Sequence, residues 1–240
     1  MSMQLATPPS VDWAEVNRGL ANASPQEILR WAVETYHPKL TMATAFGPEG
    51  CVILHMLSEI EPKVRVFNLD TGYQFAETLE LRDRIAERYG IEVEYVRAKE
   101  SVAAFESRNQ GPIHALDSDR CCHERKIVPL IDAVDGYDAW ISAIRADQSS
   151  HRGQAEVAGW DSKFHLAKVN PLLRWSKRDV WAFIVTHDVP YNPLHDQGYP
   201  SIGCRPCTRA VLQGDDERAG RWAGQAKTEC GLHSLDSSRL

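Results

Sequence analysis

Residues 40–60 read LTMATAFGPEGCVILHMLSEI, and the fold turns on how this stretch is parsed. Leu40 to Phe46 is a mostly apolar run of strand length, GPEG supplies a turn, and Cys51 to Ile60 places large apolar residues at helical spacing. Strand, glycine-bearing turn and helix is therefore the predicted order. It recurs downstream: Val64 to Leu69, then DTG, then the helical FAETLELRDRIAERYG, then the strand IEVEYVRA. A later strand is predicted over Ala139 to Ile144, running into the loop RADQSSHRG. Strands alternating with helices imply an α/β fold with a mostly parallel central sheet flanked by helices. Ligands bind such sheets outside the carboxyl ends of the strands. FGPEG, LDTG and IRADQSSHRG are accordingly expected to share one rim. Upstream, SPQEILRWAVETY reads as a helix with Ser24 as N-cap, Pro25 as first helical residue and Glu27 as the capping-box acid.

At 240 residues the chain is long enough for one substantial core with a short extension. The 43% hydrophobic and 25% charged content is ordinary for a soluble globular protein. No apolar stretch approaches the length needed to span a bilayer, so no membrane partner is expected. The N-terminus lacks a basic segment followed by an apolar one, and a cytoplasmic location is the resulting expectation. A net charge of −6 and a pI near 5.9 argue against a nucleic-acid partner. From Ser201 onward the chain becomes rich in Gly, Arg and small polar residues. The expected division is residues 1–211 as the α/β domain and 212–240 as a C-terminal segment. Residues 226–240 lack helical or strand periodicity, which predicts a mobile tail.

The six cysteines are spaced unevenly. Cys121 and Cys122 are adjacent, Cys204 and Cys207 form a CxxC within GCRPC, Cys230 stands alone near the C-terminus, and Cys51 sits in an apolar run as core filler. Structural disulfides are rare in a reducing compartment, so two close pairs point to one metal centre. Four thiolates suit either a structural zinc or a [4Fe–4S] cluster. The vicinal pair fits a single small ion less easily, because adjacent side chains diverge, whereas a cluster offers separate iron corners. Both remain open on spacing alone. Cys230, with Lys227 and His233 close in sequence, is a candidate nucleophile, since nearby positive charge favours the thiolate. The nine histidines show no HxH or HExxH spacing. Trp175 and Trp181 read as core or interface residues.

Together CCHERK, GCRPC, DERAGRW and the terminal ECGLH, with LDTG and IRADQSS in order between them, resemble assimilatory adenosine 5'-phosphosulfate (APS) reductase. The resemblance runs from FGPEG to ECGLH. It implies a PP-loop, adenine-nucleotide α-hydrolase-like fold. By the same resemblance Cys121, Cys122, Cys204 and Cys207 hold a [4Fe–4S] cluster on the 1–211 domain. Cys230 of the 212–240 segment attacks the sulfate sulfur, and thioredoxin or a glutaredoxin-like donor releases sulfite from the resulting S-sulfocysteine. Lys126, Arg145, Arg218 and Arg221 match the family's basic positions; on a helix Arg218 and Arg221 would share a face. From its place in the loop, Asp147 reads either as orienting Arg145 or as a loop cap. The turn Thr44 to Gly50, with Thr44, Phe46 and Gly47 as substrate-binding positions, is expected to face phosphate. It departs from the serine-rich form of many relatives. Leu69 to Gly72 is expected to form the adenine edge.

Three other readings predict different features. A PP-loop ATP pyrophosphatase or thiolation enzyme carries an SGGxDS-type loop, which TAFGPEG lacks. A cluster-bearing redox sensor or RNA-binding module calls for a basic surface, against the acidic pI. A reductase of the 3'-phosphorylated nucleotide (PAPS) keeps the same chemistry. The sequence leaves a homo-oligomer open.

Overall fold

A computed structural model describes residues 11–212, 214–225, 227, 229, 231 and 232. Two helices, α1 (Trp13–Gly19) and α2 (Pro25–Tyr36), precede the sheet. α2 starts as its sequence requires: the Ser24 hydroxyl accepts from the Glu27 N–H, the Glu27 carboxylate accepts from the Ser24 N–H, and Pro25 fills the first turn. The alternation then follows: β1 (Leu40–Thr44), α3 (Pro48–Ile60), β2 (Arg65–Asp70), α4 (Ala76–Tyr89) and β3 (Val93–Arg97). α4 ends on Gly90 in the left-handed conformation, the favoured terminator. Short helices α5 (Val102–Arg108), α6 (Ile113–Leu116) and α7 (Ser118–Cys122) lead through a π-turn, His123–Ile127, into α8 (Val128–Val134). β4 (Ala139–Ile141), β5 (Ala158–Asp161), β6 (Leu166–Val169) and α9 (Lys177–His187) complete the regular elements among the described residues.

The six strands lie in the order β3-β2-β1-β4-β6-β5, all parallel except β5, which pairs antiparallel with β6. The main core packs β1 and β4 residues such as Leu40, Met42 and Ile141 against α2, α3 and α9. A second core on Phe67, Leu69, Leu130, Trp140 and Phe164 fills the other side. Both faces of the sheet are thus covered, as buried parallel strands demand. The strand order reverses at β1, whose two neighbours are β2 and β4, and a crevice opens at the carboxyl ends there.

Some element boundaries differ from the sequence-based expectations. α3 begins at Pro48 rather than Cys51, because Gly47 takes the N-cap conformation and Pro48 suits a first helical position. The strand expected over Ala139 to Ile144 stops at Ile141, where its pairing to Met42 and Val169 ends. Residues 214–222 form turns, so Arg218 and Arg221 are not set on one helix face. There Arg209 pairs with Gly220 and Thr208 bridges Arg221, tying this stretch to the CxxC segment rather than to its own helical bonds. No helix among the described residues is long and apolar enough to cross a membrane.

Replacing Ser24 by Ala should cost about 1 kcal/mol of stability by removing the cap. Urea unfolding of the two proteins measures that difference.

Candidate active site

The crevice at the switch point is lined by the end of β1 and the start of α3 (Thr44, Gly47, Glu49, Gly50), by Leu69 and Thr71 after β2, and by Ser142, Arg145 and Arg152 after β4. Lys126, Arg218 and Arg221 complete a cationic side. Seven of the residues read from the sequence as substrate-binding therefore meet in one cleft: Thr44, Gly47, Leu69, Lys126, Arg145, Arg218 and Arg221. The expectation for Phe46 fails at the side chain. Its backbone is left-handed (φ 55) and its ring is buried in the main core, away from the cleft lining.

Local packing sets the turn. The Thr44 hydroxyl accepts from the Phe46 N–H at 3.0 Å, and Asn68 donates to the Thr44 carbonyl at 2.8 Å. A Cβ on Gly50 would lie 2.7 Å from the Thr44 hydroxyl, so glycine is what lets α3 approach the strand end. Glu49, in the first turn of α3, is buried and ion-paired with Arg145. Its carboxylate already faces the positive end of that helix.

Arg145 is almost fully buried, and its guanidinium is shared among three carboxylates: Glu49, Asp147 at 2.8 Å and Glu217 at 3.4 Å. Of the two roles open to Asp147, contact with Arg145 is present, and its other oxygen accepts from the Lys177 N–H. Glu217 in turn receives Lys177 at 2.8 Å. Arg221 is placed differently. Its guanidinium lies 4.5 Å over the Trp222 ring and packs against the backbone of Gly203, where a Cβ would overlap it.

The four paired cysteines converge on a second, smaller cavity, also lined by Thr71, Lys126, Arg221 and Trp222. Cys121 and Cys122 come from the end of α7; Cys204 and Cys207 bracket a 3-10 turn, Arg205–Cys207. The Thr71 hydroxyl is 3.2 Å from the Cys204 sulfur. Buried Arg125 donates to the Thr71 carbonyl at 2.6 Å and to the Glu100 carbonyl at 3.1 Å, locking the cysteine helix to the LDTG turn. Burial, then the three neighbouring thiols, push the Cys121 thiol up to about 12. Burial and the same crowding raise Cys207, while Lys126 and Arg221 oppose the shift. Crowded sulfurs, two buried and two half-buried, with cations beside them fit a cationic inorganic core that would hold them as thiolates. No group of three or more His, Cys, Asp or Glu among the described residues has the arrangement of a single-ion site. Cys51 is fully buried in α3 and forms no disulfide; burial pushes its thiol up to about 12, in keeping with core filler.

Thr71, Lys126, Cys204, Arg221 and Trp222 line both cavities, so the thiol quartet and the cleft share a wall. Cys230 and His233 lie outside the described residues. The neighbours of Cys230 are described: Glu229 meets Arg152 and Arg218, Gly231 accepts from Lys163, and Leu232 lines the cleft and packs on the second core. Of the stretch expected to be mobile, residues 227, 229, 231 and 232 thus make defined contacts.

Residues 39–210 match the phosphoadenosine phosphosulfate reductase domain family. The chain belongs to this family. It is 47% identical over 214 residues to a phosphoadenosine 5'-phosphosulfate reductase of Gloeobacter violaceus, covering 88% of this chain and 89% of that one. Identity to an adenosine 5'-phosphosulfate reductase of Shouchella clausii is 42%, over 94% of each chain. Among solved structures, phosphoadenylyl-sulfate reductase from Candida auris in a phosphate complex superposes with a TM-score of 0.73 at 33% identity, covering 82% of this chain and 95% of that one. The α/β, PP-loop-like architecture is the family's.

Several residues in or beside the cleft escaped sequence reasoning. Arg152 and Glu229 fall inside segments already singled out, RADQSSHRG and ECGLH, but nothing in their spacing shows that they meet. Ser142 and His195 carried no signal in the sequence. Five lining residues each bury a polar atom with no hydrogen-bond partner among the described residues: Gln74 Oε1, Ser142 Oγ, His195 Nε2, Arg221 Nε and Trp222 Nε1. Burial also lowers His195 to about 4, so its imidazole is neutral near pH 7.

Because the three atoms nearest a Cβ at residue 203 all belong to the movable end of Arg221, Gly203→Ala should fold normally. It should weaken nucleotide binding roughly tenfold by displacing that guanidinium, a loss of about 1.4 kcal/mol. Calorimetric titration with adenosine 5'-phosphosulfate, beside a thermal melt, separates the two effects.

Proposed function

We propose that this chain reduces adenosine 5'-phosphosulfate to sulfite and AMP in sulfate assimilation, feeding cysteine biosynthesis. The observation that carries the reading is the wall shared by the thiol quartet and the cationic cleft at the carboxyl ends of β1, β2 and β4. The unpartnered polar atoms on that cleft support it. A buried donor or acceptor left unsatisfied costs about 1–3 kcal/mol, and a nucleotide brings phosphate, hydroxyl and ring-nitrogen partners.

Lys126, Arg218 and Arg221 are assigned to the phosphate and sulfate oxygens. Their positive charge is needed because an anionic thiolate must approach an anionic group. Arg145, already shared among three carboxylates, is assigned to the rim, with Thr44 and Gly47 at the phosphate side and Leu69 at the adenine edge. The Cys230 thiolate attacks the sulfate sulfur, an S–S bond forms, and the S–O bond to phosphate breaks with its electron pair leaving on AMP. Two electrons from the dithiol of thioredoxin, or of a glutaredoxin-like donor, then release sulfite. The donor becomes a disulfide and Cys230 regains its thiol. In this division, residues 1–211 bind the nucleotide and 212–240 deliver the nucleophile.

Cys121, Cys122, Cys204 and Cys207 would hold a [4Fe–4S] cluster. When bound, it supplies a rigid charged core that orders Lys126 and shapes the field beside the substrate. We place the enzyme in the cytoplasm, where reduced thiols persist.

A second reading has specific support: the Gloeobacter violaceus and Candida auris relatives are named for the 3'-phosphorylated nucleotide. Turnover of the two nucleotides side by side decides between them. Anaerobically purified protein should be brown and contain about four irons per chain; colourless protein with one zinc would sink the cluster. Incubation with adenosine 5'-phosphosulfate and no reductant should add one sulfo group to the intact mass. That adduct should vanish in Cys230→Ser, and an adduct indifferent to the change would remove Cys230 from the reaction.

A further inference from the structure

Glu229 precedes the proposed nucleophile and is only 10% exposed at its side chain. Its carboxylate accepts from Arg152 Nε at 2.9 Å and Nη2 at 3.0 Å, from Arg218 Nη2 at 3.1 Å and from Ser149 Oγ at 3.3 Å. Arg152 meets it with two parallel N–H groups, the geometry in which arginine binds a carboxylate most strongly and most directionally. The Arg152 side chain is 9% exposed and that of Arg218 16%, so both hold their charge largely out of water. Burial pushes the Glu229 carboxyl up, but Arg152, Arg218 and the Ser149 hydroxyl together hold it below its ordinary value. Lys168, buried close by and paired with Asp161 at 3.7 Å, contributes to the same field.

The ends of this contact lie far apart in sequence. Ser149 and Arg152 belong to the loop after β4, whereas Arg218 and Glu229 belong to the C-terminal segment. Other ties flank it. Lys227 pairs with Asp119 at 2.9 Å and donates to the Ser118 carbonyl, while Lys163 donates to the Gly231 carbonyl at 2.8 Å. Of these, the Glu229 contact alone joins a residue beside Cys230 to arginines that line the cleft, Arg152 and Arg218.

We propose that Glu229 is a positioning residue: its carboxylate, forked onto Arg152 and held by Arg218 and Ser149, sets the register in which Cys230 meets the substrate. The inference rests on the reductase reading of Cys230. A nucleophile on an otherwise polar tail must search for its target, and anchoring the adjacent residue removes most of that search. Misplacement by an ångström can cost a hundredfold in rate. Arg152 serves as the anchor, since it supplies the two-pronged contact and is set on the loop after β4 rather than on the tail.

Two measurements on the full chain test this, with iron content and circular dichroism confirming that each variant is folded and loaded. The first is single-turnover formation of the sulfo adduct at increasing adenosine 5'-phosphosulfate, without reductant. Glu229→Gln should lower the saturating rate at least tenfold, with the half-saturating concentration within about twofold of the parent. Arg152→Lys, which keeps the charge and loses the fork, should show the same split to a smaller degree. The second needs no substrate: amide hydrogen exchange over residues 227–232 should be faster in Glu229→Gln. A variant that reacts at the parent's saturating rate, that changes only the half-saturating concentration, or that leaves exchange unaltered overturns the positioning role. A parent chain that forms no adduct overturns the reductase reading instead.

Discussion

Three arginines, Arg145, Arg152 and Arg218, are largely withdrawn from water along the carboxyl edge of the sheet, and the arrangement of the cleft follows from that burial. A buried guanidinium needs anions or hydrogen-bond acceptors around it, because an uncompensated charge in that setting costs several kcal/mol. Here the anions come from elements far apart in sequence: Glu49 from α3, Asp147 from the loop after β4, Glu217 and Glu229 from the C-terminal segment. Charge compensation therefore draws the tail and the strand-end loops together. Arg221, stacked on Trp222 with its Nε unpartnered among the described residues, and Lys126, on the wall toward the thiols, complete the cationic side of the cleft.

The placement of the cysteines beside this rim has the same electrostatic sense. Four sulfurs in one small cavity repel one another as thiolates, and burial adds to the penalty. Lys126 and Arg221 are the cations that oppose it. The same two side chains line the neighbouring cleft. The π-turn that carries Lys126 follows directly on Cys122, so the cysteine pair and this lysine are joined by a single turn of backbone.

Most of the architecture was legible in the chain because it depends on local periodicity and punctuation. The run from Leu40 to Ile60 announces strand, turn and helix; Ser24, Pro25 and Glu27 announce a helix start; Gly90 marks a helix end. The two cysteine pairs were legible as one centre because reduced thiols seldom gather without use. Local preference was least informative where tertiary pairing takes over. Arg221 sits on a turn whose backbone bridges Thr208 beside the CxxC segment, and Phe46, left-handed in its backbone, packs its ring in the core.

By itself, then, the sequence determined an alternating α/β fold, its rim of strand-end loops and the existence of a thiol quartet with a lone partner near the C-terminus. Tertiary structure alone decided that Glu229 reaches Arg152, that Arg145 is spent on three carboxylates, and that the quartet and the cleft share a wall. The reason is range. Secondary structure is written in neighbours three or four residues apart, whereas buried charges are compensated by whatever partner the folded chain brings within a few ångströms, at any distance along the sequence.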